Sequence, residues 1–333
     1  MDNSSNIDFV ILWVNGDDPA WLKDFESSTR GLTGDARKCR FRDWDNLRYI
    51  FRGFEIFTPW VRKIHFVTCG HLPSWLNVSH EKLRIVNHSD FLDEKNLPVF
   101  SSHPIEVNLH RIEGLSEKFV YFNDDTFLLK KVPQESFFRK ELPCDMLTFN
   151  AISDSDIANI KINDVQCIHR HFKKYEVVKR NFFKIFNCKT NFIELLKTLL
   201  LMPWPKMTGF YDPHLPQPFL KRTFYEVWEK ENSILSKTSA SKVRSCADVN
   251  QYLFRYWRLC QGEFAPVGFK NHHFEWIRNR EDAVVFSREI LSGKYDMVCI
   301  NDGIVDEVDF SEIKDVVNQA FEVILPKKST FEV

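Results

Sequence analysis

Ile7–Val14 (IDFVILWV) is apolar at every position but Asp8, and it stops at Asn15-Gly16-Asp17-Asp18-Pro19. A strand that offers water neither face must be covered on both, which a parallel α/β sheet provides and a one-sided antiparallel meander does not. Three further short apolar runs follow: Ile64–Thr68, Leu83–Val86 and Phe119–Phe122. Between Ile7–Val14 and Ile64–Thr68, Asp43–Thr58 spaces Leu47, Ile50, Phe51, Phe54 and Ile56 near helical period among charged residues, and Pro59 closes it. Ile105–Ile112 reads as another helix, with Gly114 as its stop. The expected fold class is α/β with a mainly parallel sheet.

Beyond about residue 145 the pattern changes. Asn150–Asn191 is mixed and becomes basic, a Phe-rich helical stretch runs to Met202, and Pro203, Pro205, Pro213, Pro216 and Pro218 mark an ordered, turn-rich crossing. Thr223–Ser233 and Ala247–Leu259 read as helices, Asp296–Ile300 as a late strand, and Ser311–Phe321 as a closing helix. The expected organisation is a first core half (1–145), a helical, Phe-rich and Pro-rich subdomain (146–235), a second core half (236–325) and a tail (326–333).

Charge narrows the function classes. Lys+Arg 45 against Asp+Glu 46 gives −1, so there is no global basic field and nucleic acid is not an expected partner. The eight cysteines contain no CxxC pair, which argues against a zinc ribbon and for reduced thiols. MDNSSNID carries no secretory pattern, and Phe192–Trp204, interrupted by Glu194 and Lys197, falls well short of the ~20 apolar residues of a membrane span. A cytoplasmic protein is expected. Lys179–Lys206 interleaves basic and aromatic residues, as a membrane-surface or polyanion-binding stretch does, or equally as buried amphipathic helices do.

Asn123-Asp124-Asp125 ends the FVYF run, where open α/β sheets bind ligands; the carboxylates suit a metal or a general base, or else cap a turn. Neighbours on extended backbone point opposite ways, so the two need not share a role. Asn301-Asp302, with Asp306 beyond, follows a second strand and could share one Mg²⁺, or form an Asn-Asp-Gly turn. The Asn15–Pro19 turn occupies a nucleotide-docking position without a GxGxxG or Walker loop, leaving Arg42, Arg48 and Arg111 as candidate diphosphate ligands or solvated helix residues. His214 sits between Pro213 and Pro216, and Lys242-Val243-Arg244 supplies cations before a helix. His272-His273 reads as a structural pair.

In order, IDFVILWVNGDDP (7–19), RFRDWDNLRYIFRGFE (40–55), PWVRKIHFVT (59–68), HRIEGLSEKFVYFNDD (110–125) and VCINDGIVD (298–306) resemble the Stealth family of sugar-1-phosphate transferases, over nearly the whole chain. PSWLN at 73–77 and Phe100-Ser101-Ser102 fit the same spacing, and Pro213-His214 followed by Val243-Arg244-Ser245 fits the family's His and Arg. The resemblance implies a Rossmann-like nucleotide-sugar-binding core and transfer of a sugar-1-phosphate, typically from UDP-N-acetylglucosamine, to an acceptor sugar hydroxyl with release of UMP and with Mg²⁺ or Mn²⁺ as cofactor. It implies Asp125 as base, His214 and Arg244 as stabilisers of the transferred phosphoryl group, and Asp124 and Asp302 as metal ligands. Donor contacts would come from Asn15, Gly16, Asp17, Asp43, Arg48, Arg111 and Asn123. The acceptor would be a capsular or exopolysaccharide chain or a lipid-linked oligosaccharide, with peripheral association at the inner face of the plasma membrane. The alternatives are a nucleotide-sugar glycosyltransferase forming a glycoside and UDP, or a catalytically silent glycan-binding module.

Overall fold

The computed structural model describes residues 6–35, 37–304 and 309–333; Asp306 and the first five residues of the MDNSSNID segment lie outside the described residues. Strand β1 (Ile7–Leu12) is followed by α1 (Pro19–Thr29), where Asp18 caps the helix by accepting the Trp21 N–H at 2.8 Å. Helix α2 (Leu47–Phe57) leads to β2 (Ile64–Thr68) and β3 (Leu83–Asn87), and α3 (Ser102–Glu106) leads to β4 (Lys118–Phe122). β5 (Thr126–Leu128) continues directly from β4 across the Asn-Asp-Asp turn, and a hairpin of β6 (Phe138–Arg139) and β7 (Leu142–Asp145) follows. Helices α4 (Ala158–His171), α5 (Lys174–Ile185) and α6 (Phe192–Leu201) precede β8 (Gln217–Leu220), α7 (Lys221–Ser239) and α8 (Gln251–Gln261). The chain ends through β9 (Ala265–Pro266), β10 (His272–Ile277), α9 (Arg280–Leu291), β11 (Met297–Asp302) and α10 (Phe310–Ile324).

The main sheet has the order β3-β2-β1-β4-β8, parallel except for β8. The fold is mixed α/β, as the apolar runs imply. Ile7, Phe9 and Ile11 of β1 face one apolar core with α2, α9 and α10, while Val10 faces a second with α7 and α8. Asp8, the single charge in the run, is fully buried and answered by Arg62, His65 and the Ser116 N–H. The smaller sheet β10-β11-β5 pairs β11 antiparallel to β5, so the end of β4 is also the joint between the sheets.

Three expectations change. The helix expected over Ile105–Ile112 is instead α3 and a separate 3₁₀ turn at Leu109–Arg111. Between them, Asn108 donates from its side chain to the Pro104 carbonyl and the Ser239 hydroxyl, anchoring the break. The late strand runs past Ile300 and includes Asn301 and Asp302. The supposed tail is docked: Phe331 is buried against Phe51 and His80, and Glu332 pairs with Arg52 at 2.8 Å. All eight cysteines are unpaired, and His273 stacks on Tyr295 within the fold, as a structural pair would.

Candidate active site

Between β1 and β4 the strand order reverses, and their C-terminal ends open into a cleft of about 800 Å³. A reversal of this kind leaves a crevice because the connections leave the sheet on opposite sides. The Ile300 N–H donates to the Asp125 carbonyl at 2.9 Å, so the pairing of β11 with the segment after β4 carries Asn301 and Asp302 to the same cleft as Asn123, Asp124 and Asp125. Two Asn-Asp pairs more than 170 positions apart thus share one wall.

The carboxylates on the cleft floor are poorly compensated. The Asp124 side chain is exposed to the cleft, yet protein surrounds it closely enough that burial, followed by the charges of Asp125 and Asp43, pushes its pKa up to about 8. Burial pushes Asp125 up to about 7, partly offset by the Cys299 thiol, and its Oδ1 is buried without a hydrogen-bond partner. Burial also raises Asp43. Asp302 differs: Arg42 donates to both of its oxygens at 3.1 and 3.2 Å, the Trp44 indole N–H donates at 3.3 Å, and the Ile304 N–H at 2.9 Å.

These residues can be tested against a divalent cation. Among the described residues no three of His, Cys, Asp or Glu cluster at ligating distance. Mg²⁺ and Mn²⁺ accept oxygen donors, and Mg²⁺ commonly takes only one or two carboxylates, completing its shell with phosphate and water. The unpartnered Asp125 Oδ1 and the unpaired Asp124 fit that donor set; Asp302 would first have to release Arg42.

The remaining walls bring basic groups. Arg244 reaches the cleft from the segment before α8, where burial lowers its pKa and, among the described residues, its guanidinium has no ion-pair partner. Its backbone carbonyl accepts the Asp35 N–H at 3.0 Å, fixing the segment against Asp35. His214 adopts φ 46°, in the left-handed region that strains a non-glycine residue, and stacks on Phe274 at 4.6 Å. Burial lowers its pKa and so favours the neutral ring, whose nitrogens can donate to or accept from a ligand.

The cleft therefore holds Asp43, Asn123, Asp124, Asp125, His214, Arg244 and Asp302 together. Asn15, Gly16 and Asp17 do not line it; they brace it. Gly16 donates to the Phe41 carbonyl at 2.9 Å, and a Cβ at Gly16 would lie 2.3 Å from that oxygen, so only glycine lets this loop support Phe41 and Asp43. Arg48 and Arg111 lie outside the cleft lining: Arg48 pairs with Asp45 at 2.9 Å, and Arg111 sits over Trp228 at 4.6 Å. Sequence reasoning missed Arg40, Glu106, Tyr121 and Lys161, which do line the cleft. Tyr121 donates to Glu106 at 3.0 Å and Lys161 pairs with Asp212 at 2.7 Å. Tyr121 stands inside the otherwise apolar FVYF run, which is the signal that could have found it.

A cleft combining uncompensated carboxylates with an unpaired guanidinium suits a ligand that is anionic and can bind a cation, as phosphate esters are. Models of Stealth protein conserved regions 1, 2 and 4 match residues 5–26, 40–145 and 288–333. His214 and Arg244 fall outside those three spans. The chain is 39% identical over 338 residues to the capsular polysaccharide phosphotransferase WcwK of Streptococcus pneumoniae, covering 100% of this chain and 99% of that one. It is 39% identical to the receptor polysaccharide phosphotransferase WefC of Streptococcus gordonii (98% and 99% covered). Identity to the exopolysaccharide phosphotransferase cps2G of Lactiplantibacillus plantarum is 36% (98% and 96%).

Proposed function

The chain belongs to the Stealth family of bacterial polysaccharide phosphotransferases, and on that footing we propose that it moves a sugar-1-phosphate, with N-acetylglucosamine-1-phosphate the first choice, from a UDP-sugar to a sugar hydroxyl of a capsular or exopolysaccharide acceptor. It is a transferase of phosphorus-containing groups. The core is read as Rossmann-like: the strand order β3-β2-β1-β4 with a cleft at the reversal is the arrangement in which such sheets hold nucleotides.

The observation that carries the reading is the pairing, in one cleft, of the unpartnered Asp125 carboxylate oxygen with the unpaired Arg244 guanidinium. Asp125 takes the proton from the acceptor hydroxyl as that oxygen attacks the β-phosphorus. The bond from the β-phosphorus to the bridging anhydride oxygen breaks, and the bridging oxygen leaves with UMP. The sugar C1–O bond is untouched, so the anomeric configuration survives. Arg244 and the neutral His214 ring donate to the phosphoryl oxygens, where a fixed donor shielded from bulk water acts more strongly than a mobile one in solution. Asp124 would hold Mg²⁺ or Mn²⁺, which would neutralise diphosphate charge when bound. Asp43 and Asn123 are left to contact the donor.

The test is to incubate the protein with UDP-N-acetylglucosamine, Mg²⁺ and oligosaccharide acceptors, resolving UMP from UDP. UMP with an acceptor phosphodiester supports the reading. UDP with a glycoside replaces it, and neither product despite donor binding favours a silent module.

A further inference from the structure

Helix α6 is built inside out. Glu194 and Thr198 point inward, at 7% and 0% exposure, and Thr198 accepts the Phe149 N–H at 3.0 Å while Glu194 pairs with Lys197 at 2.8 Å. The apolar residues Phe192, Ile193, Leu196, Leu199 and Leu200, at helical spacing, form the outer face, with Phe192 at 76% and Leu200 at 64% exposure. A surface helix in water ordinarily buries such a stripe and exposes its polar side. The Thr198–Phe149 hydrogen bond ties the polar side of the helix to the body of the fold, so the exposed stripe is a feature of the fold.

The apolar surface extends along this region of the chain. On α5, Tyr175, Phe182 and Phe183 are exposed, and Trp204 stands free just after α6. Exposed Lys179, Arg180, Lys189 and Lys206 are interspersed with them along the chain. Apolar aliphatic and aromatic side chains beside lysine and arginine make the surface of a helix pair that lies in a membrane interface, where acyl chains take the apolar side chains and anionic headgroups take the cations. A soluble monomer rarely leaves so many large apolar side chains together in water. No helix among the described residues is long and apolar enough to cross a membrane.

We propose that the outer face of α5 and α6, with Trp204, is a docking surface for an anionic lipid bilayer. The basic residues favour this occupant over a second copy of the chain, whose matching face would bring like charges together. The surface is connected to the cleft. Phe149, bonded to Thr198 of α6, begins the segment that supplies Ser153–Asp156 to the cleft wall. Docking is independent of the transfer chemistry, and a vesicle assay without nucleotide separates the two.

The full chain is floated with vesicles of equal parts phosphatidylcholine and phosphatidylglycerol, and with phosphatidylcholine alone. Binding is expected to the anionic vesicles, weaker by about tenfold or more to the neutral ones, and reduced by salt. Phe192→Ser, Leu196→Ser and Leu200→Ser together should cut binding by about tenfold or more. Lys179→Glu with Arg180→Glu should abolish the preference for anionic lipid. All five positions are exposed, and unfolding curves check that both variants remain folded. Failure of the wild type to bind anionic vesicles, or unchanged binding by both variants, overturns the proposal. A wild-type dimer that the triple-serine variant converts to monomer overturns it too, and assigns the face to a second copy.

Discussion

Arg42 and Asp302, 260 positions apart, form an ion pair at 3.1 Å in the cleft, with both side chains almost wholly shielded from water. The Trp44 indole and the Ile304 N–H hold the same carboxylate. Removing one member of such a pair leaves the other buried and uncompensated, which typically costs about 3 kcal/mol. Asp302→Ala should therefore lower the denaturant midpoint, and adding Arg42→Met should recover much of the loss. Additive losses in the double variant would show that the two side chains act separately.

Asp125 lies in the opposite situation, with its Oδ1 unpartnered and Asp124 next to it. Asp125→Asn removes a carboxylate that burial already disfavours, so thermal stability should hold or rise while kcat falls by on the order of 10²–10⁴, the usual worth of a general base. A variant that loses stability in step with activity would point to a structural role.

Among the described residues, Arg244 is a cleft cation with no ion-pair partner. Arg244→Ala should weaken UDP binding by titration calorimetry by about 10- to 100-fold, the equivalent of a charge-assisted hydrogen-bond pair, with little change in unfolding. Unchanged UDP affinity would remove Arg244 from the phosphate site.

Much of this was legible in the chain, and the reasons differ by element. β1, β2 and β4 read correctly because strands buried on both faces are nearly continuous apolar runs, and Asp124, Asp125 and Asp302 followed from their places at strand ends. Arg48 and Arg111 show the limit: a charge in a helical stretch does not reveal which neighbour it meets, and these meet Asp45 and Trp228. The Arg42–Asp302 contact was illegible because no local pattern encodes a pairing at that separation. Residues 326–333 looked like a tail because Pro326, Lys327 and Lys328 open it, while Phe331 and Glu332 fasten it to Phe51 and Arg52.

That fastening has a measurable value. Removing Ser329–Val333 would expose the apolar surface under Phe331 and leave Arg52 without Glu332, so the truncated chain should lose about 3 kcal/mol or more in equilibrium unfolding. Undiminished stability would return the segment to the status of a tail.

Two imidazoles set an acid limit on the fold. Burial, aided by Arg111 and Lys221, pushes His110 down to about 3, and burial pushes His88 down to about 4, against an ordinary 6.5. Below 6.5 the unfolded chain binds protons that the folded one refuses, so stability is full above that pH and declines toward about 4 for His88 and 3 for His110. His110→Phe keeps the ring among Phe224, Tyr225 and Trp228 and should flatten the slope of the denaturant midpoint against pH. An unaltered slope would locate the acid sensitivity elsewhere.

The fate of the β-phosphorus tests the central claim most directly. With UDP-N-acetylglucosamine labelled at that atom, the label should appear in the acceptor as a phosphodiester, beside unlabelled UMP, and the transfer should vanish with Asp125→Asn. Label retained in UDP, with sugar on the acceptor, would contradict phosphoryl transfer and make the chain a glycosyltransferase.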